Sequence, residues 1–268
     1  MKKIAITLSI VLSVFSQVAC NSNQKSTVSP TSIENVDSED IAMNTSLKEK
    51  PQPKLFEDFI YEVAPRFNVI KKTDLDKVSS FGDFIGEEHA QRIVSYSSVS
   101  VIILDGQEKT DIQETGNSSV LTPAQIKLLQ SSDYSTNILV SAYFQEKNPE
   151  TGQVEEQHWT PYLTIIPEVQ ASYSGGMDKL KRILKDKSQD ARKGVDPEKL
   201  RPAKLFFTVT KNGLIENVHL DRTSGFQLVD KKMIELISTT QKDWKPAQNS
   251  KGEKVDQELV VSFGLLGC

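Results

Sequence analysis

Between Ala203 and Leu220 apolar and polar side chains alternate on either side of a two-residue turn signal, a pattern that admits little except a β-hairpin. Leu205, Phe207 and Val209 point to one side of the first strand, and Lys204, Thr208 and Thr210 share the other with Phe206. Asn212-Gly213 predicts the turn, because both central positions of a type I′ turn require φ > 0. Ile215, Val218 and Leu220 carry the return strand. Upstream, Gly175-Gly176 break the chain, and residues 177–185 then place Leu180, Ile183 and Leu184 on one helical face, opposite lysines and Arg182. Downstream, Asp230 starts a helix whose Met233, Ile234 and Ile237 face inward, and Trp244 and Pro246 close it. A last alternating run sets Val255, Gln257, Leu259, Val261 and Phe263 on one face. Helix, hairpin, helix and strand give two helices on a three-stranded antiparallel sheet, an α+β unit with two open edges.

The N-terminus carries a different message. Met1-Lys2-Lys3 is basic, and Ile4 to Ala19 is an apolar run shorter than the ~20 residues of a membrane-spanning helix, which describes a secretory signal. Cys20 after Val18-Ala19 resembles a bacterial lipobox, with Gln17 where an aliphatic residue is usual. The resemblance implies a diacylated Cys20 carrying palmitate-like chains, which would hold the protein stably on a membrane. Residues 21–53 are rich in Ser, Thr, Asn, Glu and Lys and read as a flexible tether. The expected organisation is therefore a signal peptide over 1–19, a lipidated tether over 20–53, an α+β region over 54–170 and the C-terminal unit over 171–268. Net charge is −4, and removal of Lys2 and Lys3 takes it to −6. A mildly acidic chain without a basic cluster argues against a nucleic-acid partner. With Cys20 lipidated, Cys268 stands as a lone thiol and no disulfide framework is expected.

In the middle region Leu55, Phe56, Phe59, Ile60 and Val63 recur at helical spacing up to Pro65. Thr73 and Asp76 frame a capping box ahead of Val78, and residues 81–93 favour helix in part. Residues 97–104 read as a buried strand stopped by Asp105-Gly106. Thr122-Pro123 is a strong helix start, with Ile126, Leu128 and Leu129 as the buried face. Ile138, Val140, Ala142 and Phe144 alternate into a hairpin that turns at residues 148–152 and returns over 154–166, with Pro161 and Pro167 suiting an edge. Nothing in this region names a chemistry, and a spacer or docking role is the simplest expectation.

The C-terminal motifs also occur in a telling order. Tyr173-Ser174-Gly175-Gly176, the Asn212-Gly213 hairpin, Arg222-Thr223-Ser224-Gly225, Leu228-Val229-Asp230 and Trp244-Lys245-Pro246-Ala247 together resemble the C-terminal domain of TonB proteins, in the Bacteroidota-type form. Ser174 replaces a proline common in the family, and Ser188 to Arg192 stand where a Tyr-Pro pair is usual. The resemblance implies a last strand at the sheet edge that accepts the extended segment of an outer-membrane TonB-dependent transporter, or a related envelope protein, as an added strand. Carried onto this chain, the partner-binding strand is Val255, Asp256, Gln257, Glu258, Leu259, Val260, Val261, Ser262 and Phe263. Such β-augmentation binds through main-chain hydrogen bonds, each contributing about 0.5–1.5 kcal/mol net. Lacking a transmembrane helix with a polar coupling residue, the chain reads as an accessory lipoprotein, expected on the periplasmic face of the outer membrane, rather than a transducer. The alternatives are a genuine transducer with an uncleaved N-terminal helix, and a structural lipoprotein or exported enzyme using the fold as scaffold.

No catalytic residue, metal site or cofactor is expected. His89, His158 and His219 lack ligand spacing to one another or to a cysteine. His219 and Asp221 flank Leu220 on one face of a strand, read as a paired surface rather than a catalytic dyad. Trp159 and Trp244 are expected to serve core or turn packing.

Overall fold

Two β-layers organise the chain. A computed structural model describes residues 55–241 and 243–265; the expected signal segment and tether, Cys20 and Cys268 lie outside the described residues. The N-terminal part runs β1 (Ile60–Ala64), β2 (Asn68–Lys71), α1 (Lys72–Leu75), α2 (Gly82–Ile85), α3 (Glu87–Ala90), β3 (Ile93–Asp105), β4 (Glu108–Gly116), α4 (Pro123–Ser131), β5 (Asn137–Lys147), β6 (Val154–Trp159) and β7 (Tyr162–Ile166). Strands β2-β7-β5-β3-β4 form the first sheet in that order, with β6 also beside β5. The C-terminal part runs β8 (Ser172–Tyr173), α5 (Met177–Lys187), α6 (Gln189–Arg192), β9 (Ala203–Val209), β10 (Ile215–Arg222), α7 (Gln227–Ser238), β11 (Trp244–Lys245), β12 (Ala247–Gln248), β13 (Lys254–Val255) and β14 (Gln257–Gly264). The fold is α+β.

Local chemistry builds the first layer. At α4, Thr122 Oγ1 accepts from the Gln125 amide at 3.2 Å while the Gln125 side chain accepts from the Thr122 amide at 2.8 Å, a complete capping box with proline in the first turn. The β5 hairpin forms as its alternation predicts, with the Asn148 side chain holding the amides of Glu150 and Thr151 in the turn. The return strand is interrupted at Pro161, whose carbonyl still accepts from the Val140 amide at 3.1 Å, so β6 and β7 continue one another along β5. Val99, Val101, Ile138, Val140, Ala142 and Ile165 meet Leu75, Phe81 and Leu129 in the core.

The C-terminal layer buries Leu205, Phe207, Val209, Leu259, Val261 and Phe263 against Leu180 and Leu184 of α5 and Val229, Met233 and Ile237 of α7. Trp244 packs edge-on to Tyr173 and donates from Nε1 to Thr240 Oγ1 at 3.1 Å. Asp230 lies one turn inside α7, where its carboxylate accepts from the Ser224 amide and the Thr223 hydroxyl and fixes the loop entering the helix.

Three expectations change. The segment from Leu55 to Val63 supplies strand β1, because its backbone pairs with β14 and its aromatic residues enter the C-terminal core, outweighing an apolar spacing that also suits a helix. Thr73 and Asp76 form no capping box: α1 starts after Lys71, without a side-chain cap. The hairpin loop is longer than the two-residue turn expected at Asn212-Gly213. It spans residues 210–214, closed by the Gly213 amide on Thr210 O (2.8 Å) and the Thr210 amide on Leu214 O (2.9 Å). Within that pair only Gly213 has positive φ, 76°, and a β-carbon there would lie 2.7 Å from the Trp244 carbonyl.

Candidate functional site

The strand expected to present a free rim is interior to its sheet. The sheet has four strands, in the order β1-β14-β9-β10, instead of three. On one side β14 pairs with β9, from Gln257↔Val209 to Phe263↔Ala203. On the other, β1 runs antiparallel along it: Ala64↔Val260, Val63↔Val261, Glu62↔Ser262, Tyr61↔Phe263 and Ile60↔Gly264. The Glu258 amide, just beyond the end of β1, donates to Ser135 Oγ at 2.8 Å. Amides two residues apart on a strand face the same way, so those of Val260, Ser262 and Gly264 share this side and meet β1. The open edge expected over Val255–Phe263 is therefore filled by the chain's own backbone and by Ser135.

The remaining residues of that stretch are engaged as well. Val255 pairs with Ala247 in the β12–β13 turn, and the Asp256 carboxylate accepts from the Lys211 amide at 2.6 Å. Gln257 is buried; its Oε1 accepts from the Ala171 amide at 2.7 Å and its Nε2 donates to Gln170 Oε1 at 3.2 Å. Leu259, Val261 and Phe263 point into the helix-covered core.

Strand β1 is anchored well beyond its ladder. Phe59 and Tyr61 belong to the C-terminal core, and the Phe59 ring stacks on Phe263 with centroids 6.3 Å apart. The Tyr61 hydroxyl pairs with Ser188 Oγ, and burial pushes its pKa up. Arg192 is fully buried: Nη1 donates to the Phe56 carbonyl at 2.7 Å and Nη2 to the Lys185 carbonyl at 3.0 Å, with the guanidinium 5.6 Å from the Phe59 centroid. Lys181 reaches Glu62 at 3.5 Å across the surface. Leu55 adds a bridge to Lys193. None of Arg192, Ser188 or Tyr61 was singled out by sequence pattern. The one available signal was the run Ser188 to Arg192, which departs from the pattern that the C-terminal motifs resemble.

The opposite face of the same sheet meets the first layer. Arg66, between β1 and β2, stacks on Phe206 (4.6 Å to the centroid) and pairs with Asp221 at 3.3 Å. His219 stacks on Phe206 and donates from Nδ1 to the Asn217 carbonyl at 2.8 Å. These residues, with Glu258, Asp105, Gly106 and Ser135, line a cleft of about 450 Å³. Burial pushes the Glu258 carboxyl pKa up and the Lys204 ammonium pKa down. His219 and Asp221 are both exposed on one face of β10, as the paired-surface reading expects, at the rim of this cleft.

Chemistry elsewhere is sparse. Ser141 Oγ lies 3.0 Å from His158 Nε2, a diagonal cross-strand pair on a sheet face where His158 stacks on Tyr143 at 3.8 Å. Among the described residues no cluster of three His, Cys, Asp or Glu could hold a metal, and no helix is long and apolar enough to cross a membrane. Comparison with known protein families, curated proteins and solved structures finds no match for this chain.

Proposed function

We propose that this chain is a lipid-anchored, non-catalytic binding protein of the cell envelope, accessory to TonB-dependent transport. In this reading its C-terminal layer is TonB C-terminal-like, two helices on β9, β10 and β14, and takes an extended segment of an outer-membrane transporter beside β14. Capture proceeds by exchange with β1 and not by addition to an open rim. The observation that supports it is β1 itself: a five-residue strand from outside the C-terminal unit lies in the position a guest would take. A rim that seats one extended segment through backbone bonds and alternate side-chain pockets has the physics of strand recognition.

A disulfide between Glu62→Cys and Ser262→Cys, which face one another in register, tests this in a Cys268→Ser background. The reduced protein is expected to capture transporter barrels from envelope extracts, and the oxidised protein to capture none. Equal capture in both states would refute exchange. A permanently closed structural lipoprotein is the second reading, favoured by the buried Arg192 and Tyr61–Ser188 anchors; it predicts no capture in either state.

A further inference from the structure

The segment seated in the rim also records what the rim accepts. Resting on the exchange reading above, we infer that the guest is an extended peptide with the pattern aromatic–any–tyrosine–acid, running antiparallel to β14. The first aromatic takes the place of Phe59, between the Phe263 ring and the Arg192 guanidinium. The tyrosine takes the place of Tyr61, 6 % exposed, with its hydroxyl on Ser188. Three residues before the first aromatic, a main-chain carbonyl must reach Arg192 as that of Phe56 does at 2.7 Å.

That carbonyl is a strong requirement because Arg192 is 0 % exposed and its Nε has no partner among the described residues. Removing the Phe56 carbonyl leaves a buried charge with Lys185 O as its one remaining carbonyl partner among the described residues. Proline at that position is tolerated, since it keeps its carbonyl. Proline at the positions of Glu62 or Ala64 is not, because their amides face β14.

The side-chain preferences differ in size for stated reasons. Losing the first aromatic opens a core position, an effect of a hundredfold or more in affinity on the order of ~3 kcal/mol. Phenylalanine in place of the tyrosine costs only about two- to tenfold, since Ser188 Oγ still donates to the Lys185 carbonyl at 3.3 Å. The acid faces Lys181, which is already within 3.2 Å of Asp178, so its contribution is the smallest. Strand β1 competes from within the chain at an effective concentration of order millimolar (~10⁻³ M), so a free guest binds the closed protein weakly.

The test uses a fluorescent peptide of residues Leu55 to Pro65, titrated against the full chain, the full chain with Phe59→Ala, and the oxidised Glu62→Cys/Ser262→Cys protein. The expected result is at least tenfold tighter binding to Phe59→Ala than to the unaltered chain, and none to the oxidised form. In the peptide, Ala for the first aromatic should weaken binding about a hundredfold or more and Phe for the tyrosine about two- to tenfold. A Phe59→Ala protein that melts cooperatively yet binds no peptide, or binds all of them equally, overturns the inference. Should Phe59→Ala not fold, Tyr61→Phe opens the rim more mildly and must give the same ranking. Failure to capture a transporter while the peptide ranking holds rejects the outer-membrane assignment alone.

Discussion

The two sheets differ in how far along the chain their most distant pairing reaches. In the first, β3 and β4 are joined by a tight turn, β5 and β6 by a short loop, β3 meets β5 across β4 and one helix, and β2 lies parallel to β7 from well upstream. In the second, β9 and β10 form a hairpin, but β1 and β14 come from opposite ends of the described chain. Loop closure makes such a distant pairing entropically costlier than a hairpin. It is held here by buried side chains, Phe59, Tyr61 and Arg192, as much as by its ladder. Strand β1 stands at the edge of its sheet, so β14, β9 and β10 stay paired without it, whereas β3 and β5 are interior to theirs.

The largest expected effect breaks the comparison at its interior strand. Leu259→Pro removes an amide facing β9 and places a ring between two paired neighbours, costing about 3 kcal/mol or more and lowering the melting midpoint by roughly 6–12 °C. An unchanged midpoint would show that β14 is not interior. This variant consequently tests folding, not capture. Phe59→Ala sharpens the contrast: a loss of about 3 kcal/mol should appear in hydrogen exchange as deprotection confined to residues 55–64 and the facing amides of β14. Phe144→Ala, in the first sheet, should deprotect strands throughout that sheet. Matching exchange patterns for the two variants would erase the distinction.

Smaller effects probe the local devices. Gly213→Ala places a β-carbon against the Trp244 carbonyl at positive φ and should cost about 1–2 kcal/mol in thermal melting. Thr122→Ala should cost about 1 kcal/mol by opening the α4 capping box. Glu258→Gln should raise the melting midpoint slightly at pH 7. Burial raises the Glu258 pKa, so the stability linked to its proton is full below about pH 4.5, its ordinary value, and is lost as pH rises through the folded value. At pH 7 the charge is a net cost that glutamine removes, and the gain should vanish near pH 4. Partial exposure keeps the effect small.

What the sequence made legible follows the same division. The alternation of Leu205, Phe207 and Val209, the Thr122-Pro123 helix start and the Ile138–Phe144 strand depend on near neighbours, and all three stand in the fold. Leu55, Phe56, Phe59, Ile60 and Val63 are spaced for a helix, and pairing with β14 overrides that local pattern. The open rim inferred at Val255–Phe263 failed for that reason: edge status belongs to the whole sheet and is not written in the strand. Arg192 stood out only as the end of the departing run Ser188 to Arg192, and Arg66 carried no pattern. One is held by the carbonyls of distant Phe56 and of Lys185, and the other by Phe206 and Asp221 across the layer seam.

Amide exchange along β14 tests the filled rim most directly, because neighbouring residues report opposite sides of one strand. Leu259 and Val261 donate toward β9, and Val260, Ser262 and Gly264 toward β1. In the unaltered protein all five should exchange slowly. Fast exchange at Val260, Ser262 and Gly264 beside slow exchange at Leu259 and Val261 would mean that the rim is open, and β1 would not be its resident strand.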